Sequence, residues 1–294
     1  ATAASMARAG RDALEIVTFV PTEAQRGDGE ELLAGLRRVA LRSMAEVKTT
    51  CVVRGMHGLL DSMERFVEGV AAQHGAKPVV VMGSVQLTSN VFSYVVGSIT
   101  LSVIRRLAGT PVVVVTANSK QAPTKPGGMR AMALVEGHAR AMLSFLCTTL
   151  LDTARGDKLM LGQVMSSRNT TRQQAANYRR LLDSFHHVAF SHQVPVAKAV
   201  VVDGAMEKVL CEAVDENGVG LLAIQLPAGT KSMPQQLLAL LRSSRAATLI
   251  HQDNSVRQSM MRKSGALRRS VSMLHNVLKQ ARMALAAGEA MHRD

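Results

Sequence analysis

Two runs of consecutive valines constrain the fold of this chain most strongly. The first is Val79-Val80-Val81 and the second is Val112-Val113-Val114-Val115, and a segment long enough for a helix separates them. Uninterrupted β-branched runs are typical of strands that are covered on both faces, as in a parallel sheet. The sequence therefore predicts a strand–helix–strand unit over residues 79–116.

The turn of this unit has the chemistry of a phosphate site. Gly83-Ser84 opens the loop after the first strand, and Gly97-Ser98 stands where the helix should begin. Serine is a good helix N-cap, and a helix N-terminus presents free N–H groups and the positive end of a dipole. The alternative interpretation is that these residues only cap a helix beside a buried strand. The candidate nucleotide-binding residues are Gly83, Ser84, Gly97, Ser98, Ile99 and Thr100.

The same stretch resembles the last third of a universal stress protein domain. That family has a strand, a G-x-x-G loop, nine residues, a Gly-Ser turn, a helix and a strand led by proline. Residues 79–84 match the strand and the first glycine, residues 97–100 the second phosphate-binding turn, and Pro111 the start of the last strand. Gln86 replaces the second glycine of the ATP-binding members, and ten residues separate it from Gly97. The resemblance implies a Rossmann-like α/β fold, with a parallel sheet and helices on both faces.

The order of predicted elements occurs twice along the chain. A Pro/Gly-rich stretch, residues 121–128, divides the two passes, and this predicts tandem domains at 1–118 and 130–252, a linker at 119–129 and a helix within 253–294. The family's first strand normally supplies an Asp beside the nucleotide. In the first domain we expect that strand to lie ahead of Ala1. The predicted strands are 14–21, 49–53, 79–82, 112–115, 132–137, 158–165, 198–202, 220–226 and 247–251. Besides the helix that begins at Gly97-Ser98, the predicted helices are the end of one in residues 1–10, and 28–47, 58–75, 138–154, 169–193, 206–217 and 234–244.

The second domain carries a degenerate version of the same site. Where the family's first strand ends in V-D-G-S, this chain has Val135-Glu136-Gly137-His138, so Glu136 and Gly137 mark the second site. The later loop, residues 226–234, lacks the glycines that let a backbone approach phosphate closely. Its Gly-Thr-Lys-Ser run at 229–232 lacks the spacing of a P-loop. We therefore expect no resident cofactor, with ATP possible at the first site.

The charge of the chain favours an acidic partner. There are 35 Lys and Arg against 22 Asp and Glu, a formal net charge of +13, and the isoelectric point is about 10.4. Residues 253–294 place apolar side chains at alternating spacings of four and three, which predicts an amphipathic helix. This helix either packs on its own domain or docks on a partner protein. The docking residues would be Leu267, Arg268, Arg269, Val271, Leu274, Leu278, Lys279 and Arg282.

These patterns lead to two functional hypotheses. The first is a non-enzymatic structural protein, a pseudo-dimer of the two domains that docks on an acidic surface in a larger assembly. A cytoskeletal or axonemal assembly with tubulin is one candidate, and an RNA–protein assembly is a weaker one because few aromatic residues are present. The alternative is an ATP-binding universal stress protein with its nucleotide at the Gly83/Gly97 loop. No nucleophile–base pair is apparent, so we expect no enzymatic activity.

Three cysteines in no paired motif, and no apolar run of membrane-spanning length, favour a cytoplasmic protein. His186, His187 and His192 lie on one predicted helix. Their spacing does not match that of metal ligands one helical turn apart, so no metal is expected.

Overall fold

Strands and helices alternate through the computed structural model of the chain. The structure describes residues 2–8, 11–44, 46–84, 97–107, 109–116, 118–119, 128–165, 171–227 and 234–252. The first copy contains α1 (Thr2–Met6), β1 (Leu14–Val20), α2 (Arg26–Ala40), β2 (Val47–Val53), α3 (Leu59–His74), β3 (Val80–Ser84), α4 (Gly97–Arg106) and β4 (Val112–Thr116). The second contains β5 (Arg130–Leu134), α5 (Arg140–Phe145), β6 (Lys158–Met165), α6 (Arg172–Ser191), β7 (Val196–Asp203), α7 (Met206–Glu216), β8 (Leu221–Leu226), α8 (Gln235–Ser243) and β9 (Ala247–Gln252).

Local signals explain the ends of two helices. Helix α3 lies between Gly58 and Gly75, and Gly75 adopts a left-handed conformation with φ of 66°. Helix α6 begins with a reciprocal capping box between Thr171 and Gln174. The predicted helix 28–47 is too long, because the carbonyl of Ala40 accepts hydrogen bonds in a turn and the chain is extended again from Val47.

The predicted helix 138–154 is interrupted in the structure. Only Arg140–Phe145 is α-helical, and the chain continues as a π-helical turn, Leu146–Leu150. A short 3₁₀ turn, Thr153–Arg155, then leads into β6. The apolar residues whose spacing predicts one long helix therefore lie on an α-helix, a π-helical turn and a 3₁₀ turn in succession.

The second copy forms a five-stranded parallel sheet. Its strand order is β9-β8-β5-β6-β7, so β5 pairs with both β6 and β8. Helices α5 and α6 contribute Met142, Leu143 and Phe185 to the apolar core on one face. Helices α7 and α8 contribute Leu210 and Leu240 to the core on the other. This two-faced α/β arrangement is the fold class that the sequence predicts.

The two copies are joined through their last strands. β4 runs antiparallel to β9, with Val113 opposite Leu249, and this pairing extends the sheet to seven strands. Val113 and Leu249 are both fully buried. Because this contact is antiparallel, β3 and β4 point opposite to the parallel strands of the second copy.

The strands of the first copy are divided between two sheets, whereas those of the second form one continuous sheet. Strands β1 and β2 form a separate two-stranded parallel sheet, while β3 pairs with β4. By element order, β1 and β3 correspond to β6 and β8, the two neighbours of β5. Among the described residues, no strand of the first copy corresponds to β5.

Two arginines link the copies reciprocally. Arg8 Nη1 donates to the carbonyl of Thr148 at 3.2 Å, at the end of the α5 segment. Arg155 Nη1 donates to the carbonyls of Met6 and Ala7, both at 3.1 Å, at the end of α1. Each guanidinium also binds the aspartate that precedes the next strand, Asp12 for Arg8 and Asp157 for Arg155. Helix α1 therefore corresponds to the last turn of the α5 segment.

Candidate functional site

The predicted phosphate turn lies between β3 and α4. β3 ends at Ser84 and α4 begins at Gly97, so both elements have the expected positions. β3 and β4 are parallel neighbours, with Gly83 opposite Val115. A strand that leads through a helix to a parallel neighbour brings its carboxyl end and the start of that helix to one edge of the sheet. Residues 85–96, including Gln86, lie outside the described part of the chain.

Helix α4 has its first turn at this edge and is anchored at its far end. Thr100 and Val103 face the protein, whereas Ile99 is 42% exposed. In the last turn, Arg106 binds Asp61 at 2.7 Å and Glu64 at 2.5 Å on α3. The hydrogen bond to Glu64 raises the pKa of Arg106 above its ordinary value. Positive charge in the last turn suits the helix dipole and leaves the first turn as the positive end.

Gly83 leaves open space at the end of β3. This glycine is exposed, and a Cβ atom built on it would meet no atom of the described residues within 4 Å. A glycine without a steric or dihedral requirement in the protein itself is one that a close-approaching ligand could require. Gly83 therefore offers a backbone surface to which phosphate oxygens could come close.

The second copy has a different set of groups where its strand order reverses, between β5 and β8. Glu136 and His138 follow β5, and the side chain of Gln225 projects from β8. His138 Nε2 lies 3.1 Å from Glu136 Oε2 and 3.0 Å from the main-chain oxygen of Gln225. The side chain of Gln225 is buried, and its Nε2 donates to the carbonyl of His138.

Gln225 also occupies the start of α5. Its Oε1 accepts a hydrogen bond from the backbone N–H of Met142 at 2.8 Å, in the first turn of that helix. This N–H is one of the donors that a helix N-terminus would otherwise offer to an anion. The second site is therefore partly closed by its own side chains.

Glu136 is a partly buried carboxyl group in the second copy. Burial raises the pKa of Glu136 above its ordinary value, and nearby His138 partly offsets the shift. Gly137, the other predicted residue of this site, lies in the turn after β5, and a Cβ atom there would meet nothing within 4 Å.

The three histidines at the end of α6 do not converge on one point. His186 and His187 are exposed on α6, whereas His192 Nε2 lies 2.9 Å from Ser144 Oγ. No group of three or more His, Cys, Asp and Glu side chains in the described ranges is arranged to hold a metal ion. Burial raises the pKa values of Cys147 and Cys211 to about 11 in each case. Both cysteines are therefore protonated at neutral pH.

Several segments that the sequence analysis singled out lie outside the described residues. These are the docking residues of segment 253–294, the 229–232 run and most of linker 119–129. The sequence reasoning missed Gln225. A signal was present, since Gln225 is the only polar residue within the apolar strand Leu221–Leu226. Among the helices that the structure describes, none is long and apolar enough to cross a bilayer.

Comparison with known proteins identifies the fold. No protein-family model and no curated protein matches the sequence. A universal stress protein from Archaeoglobus fulgidus superposes with a TM-score of 0.56 at 14% identity, covering 82% of this chain and 86% of that one. A putative universal stress protein from Pseudomonas aeruginosa gives 0.55 at 12% identity and 82% of each chain. A functionally unknown protein from Pseudomonas aeruginosa gives 0.57 at 11% identity and 87% of each. The chain therefore has the Rossmann-like fold of the universal stress proteins.

Proposed function

We propose that this protein binds a nucleoside phosphate, with ATP as the first candidate, at the turn between β3 and α4, and does not turn it over. The observation that carries the proposal is the shared sheet edge of Gly83-Ser84 and the Gly97-Ser98 start of α4. Backbone N–H groups in the first turn of a helix donate to phosphate oxygens, and the dipole adds to the attraction. In open α/β sheets, ligands bind at this carboxyl edge.

The first copy suits phosphate better than the second. In the second copy, Gln225 binds a first-turn N–H of α5. The helix that corresponds to α4 is α8, whose N-cap is Pro234, a residue with no N–H to donate. We therefore propose one nucleotide per chain rather than two.

A thermal-shift series tests this proposal with a matched pair of variants. Gly83→Val and Gly137→Val each add a side chain to open space, so both variants should fold. We expect ATP to raise the melting temperature of the wild type and of Gly137→Val but not of Gly83→Val. An equal shift in all three would contradict the assignment. Phosphate release from ATP should stay at the buffer rate, and release that depends on the protein would contradict the non-enzymatic part.

A second candidate function is docking into a larger assembly. It rests on the net charge of +13 and on the amphipathic pattern of segment 253–294. The comparisons give no support for a cytoskeletal or axonemal setting, so microtubules serve here only as an acidic test surface. Co-sedimentation that falls with added salt and disappears when residues 255–294 are removed would support this function. Absent or salt-independent co-sedimentation would count against it.

A further inference from the structure

The sheet edge that carries the β3–α4 turn is shared between the two copies. β4 runs antiparallel to β9, with Val114 opposite Thr248, so the carboxyl end of β4 lies beside the amino end of β9. Helix α8 immediately precedes β9 and ends at Ser243. The last turn of α8, which belongs to the second copy, therefore lies at the carboxyl edge of β3 and β4.

Side chains that follow β4 hold this last turn of α8 in place. Asn118 Nδ2 donates to the carbonyl of Arg242 at 3.1 Å. The neighbouring Ser119 Oγ accepts a hydrogen bond from the backbone N–H of Thr116 at 3.0 Å. Thr116 is the residue of β4 that lies opposite Ser84, at the end of β3. Through these contacts, Arg242 is tied to the strand next to the candidate phosphate turn.

Helices α4 and α8 lie on the same face of the sheet. Ile104 of α4 and Leu240 of α8 belong to one apolar core, and α4 packs on β3 while α8 packs on β4. The first turn of α4 and the last turn of α8 meet the same edge. Helices on neighbouring strands are separated by about one helix diameter, roughly 10 Å. A long arginine side chain and a bound polyphosphate together span that distance.

The charges at the end of α8 leave one guanidinium available. Arg245 binds Asp215 at 3.4 Å, and the carboxylate of Glu207 accepts a hydrogen bond from Ser243 Oγ at 2.7 Å. Arg242 is exposed, and its guanidinium forms no ion pair with any residue in the described ranges. The carbonyl end of a helix repels phosphate, so a phosphate at this edge needs a cation on α8. Arginine suits that role because its planar fork of N–H donors matches phosphate oxygens.

We propose that Arg242 of the second copy completes the nucleotide site of the first copy by donating hydrogen bonds to the phosphate oxygens. This inference rests on the proposed function, since it adds a ligand to that site. Backbone N–H groups at the start of α4 bind the phosphate from one side, and the Arg242 guanidinium binds it from the other. The second copy, whose own site is partly closed by Gln225, thereby contributes to binding in the first.

Isothermal titration of the full chain with ATP tests this contact with a matched pair of variants. Arg242→Gln and Arg245→Gln remove the same charge from the same exposed turn, but Arg245 is already paired with Asp215. We expect ATP binding to weaken about tenfold or more in Arg242→Gln and about twofold at most in Arg245→Gln. The ratio of Kd between Arg242→Gln and the wild type should fall towards one in about 0.5 M NaCl, because salt screens exposed charge pairs. Circular dichroism checks that both variants fold.

The outcomes separate this proposal from the proposed function. Wild-type affinity in Arg242→Gln, equal weakening in the two variants, or a ratio of Kd that salt does not change would overturn the role of Arg242. ATP binding that is lost in Gly83→Val would still support the nucleotide site in each of these cases. A wild-type chain that does not bind ATP would overturn both proposals.

Discussion

Replacing Arg155 by methionine removes the charge that joins the two copies and keeps most of the apolar stem. In the native protein, Arg155 Nε and Nη2 bind both carboxylate oxygens of Asp157, at 2.9 and 2.6 Å. Its Nη1 donates to three carbonyls at the end of α1, those of Ser5, Met6 and Ala7, at 3.3, 3.1 and 3.1 Å. The substitution therefore leaves the Asp157 carboxylate, whose side chain is 0% exposed, without its counter-charge.

The expected cost follows from this geometry. Removing one partner of a buried ion pair costs about 3–5 kcal/mol. Asp157 retains hydrogen bonds from the backbone N–H groups of Met129 and Asp152, at 2.8 and 3.0 Å. The Arg155 side chain is also 25% exposed. Both facts favour the lower end of the range, so we expect a loss of about 3 kcal/mol in the free energy of unfolding.

Urea denaturation of the full chain at neutral pH, followed by circular dichroism, measures this loss. Arg11→Met is the control, because Arg11 is exposed in the corresponding turn of the first copy. A surface change of this kind should stay within about 0.5 kcal/mol of the wild type. A loss below about 1 kcal/mol for Arg155→Met, or the same loss in the control, would refute the buried-pair reasoning.

Three further predictions concern single residues. Gly128→Ala should destabilise the fold by more than about 2 kcal/mol in urea denaturation. The reason is that Gly128 has a φ of +72° and that a new Cβ would lie 2.3 Å from the carbonyl carbon of Gly156. An unchanged urea midpoint would contradict this prediction. Glu136→Gln should raise the melting temperature at pH 8, because the raised pKa of this carboxyl group means that its ionisation opposes folding. The gain should vanish below about pH 4, where Glu136 is protonated in both the folded and the unfolded state. A gain that persists at pH 3 would contradict this cause. Cys147 should resist iodoacetamide at pH 7.5 in the native protein and react on unfolding, because burial raises the pKa of its thiol to about 11. Rapid labelling of Cys147 in the native protein, measured by mass spectrometry, would contradict this prediction.

Local sequence patterns predict many of the strands and helices of the fold. The valine runs locate β3 and β4, because β-branched residues favour strands and both runs lie in a covered sheet. Gly58 and Gly75 delimit α3. The predicted end of helix 28–47 was wrong, because apolar residues continue past Ala40 into the turn before β2. The spacing of apolar residues alone does not show where the backbone turns.

Long-range features could not be predicted from such patterns. The antiparallel pairing of β4 with β9 joins the last strands of the two copies, which lie far apart along the chain, and neither sequence specifies its partner. The site in the second copy depends on Gln225, which reaches α5 from a strand 83 residues away along the chain.

Isothermal titration of the full chain with ATP tests the central claim most directly. The account predicts one site per chain, because the first copy offers Gly83 and the start of α4, while in the second copy Gln225 binds a first-turn N–H of α5 and Pro234 caps α8. Binding should be lost in Gly83→Val and retained in Gly137→Val. No binding by the wild type, two sites per chain, or one site that survives Gly83→Val would contradict the account.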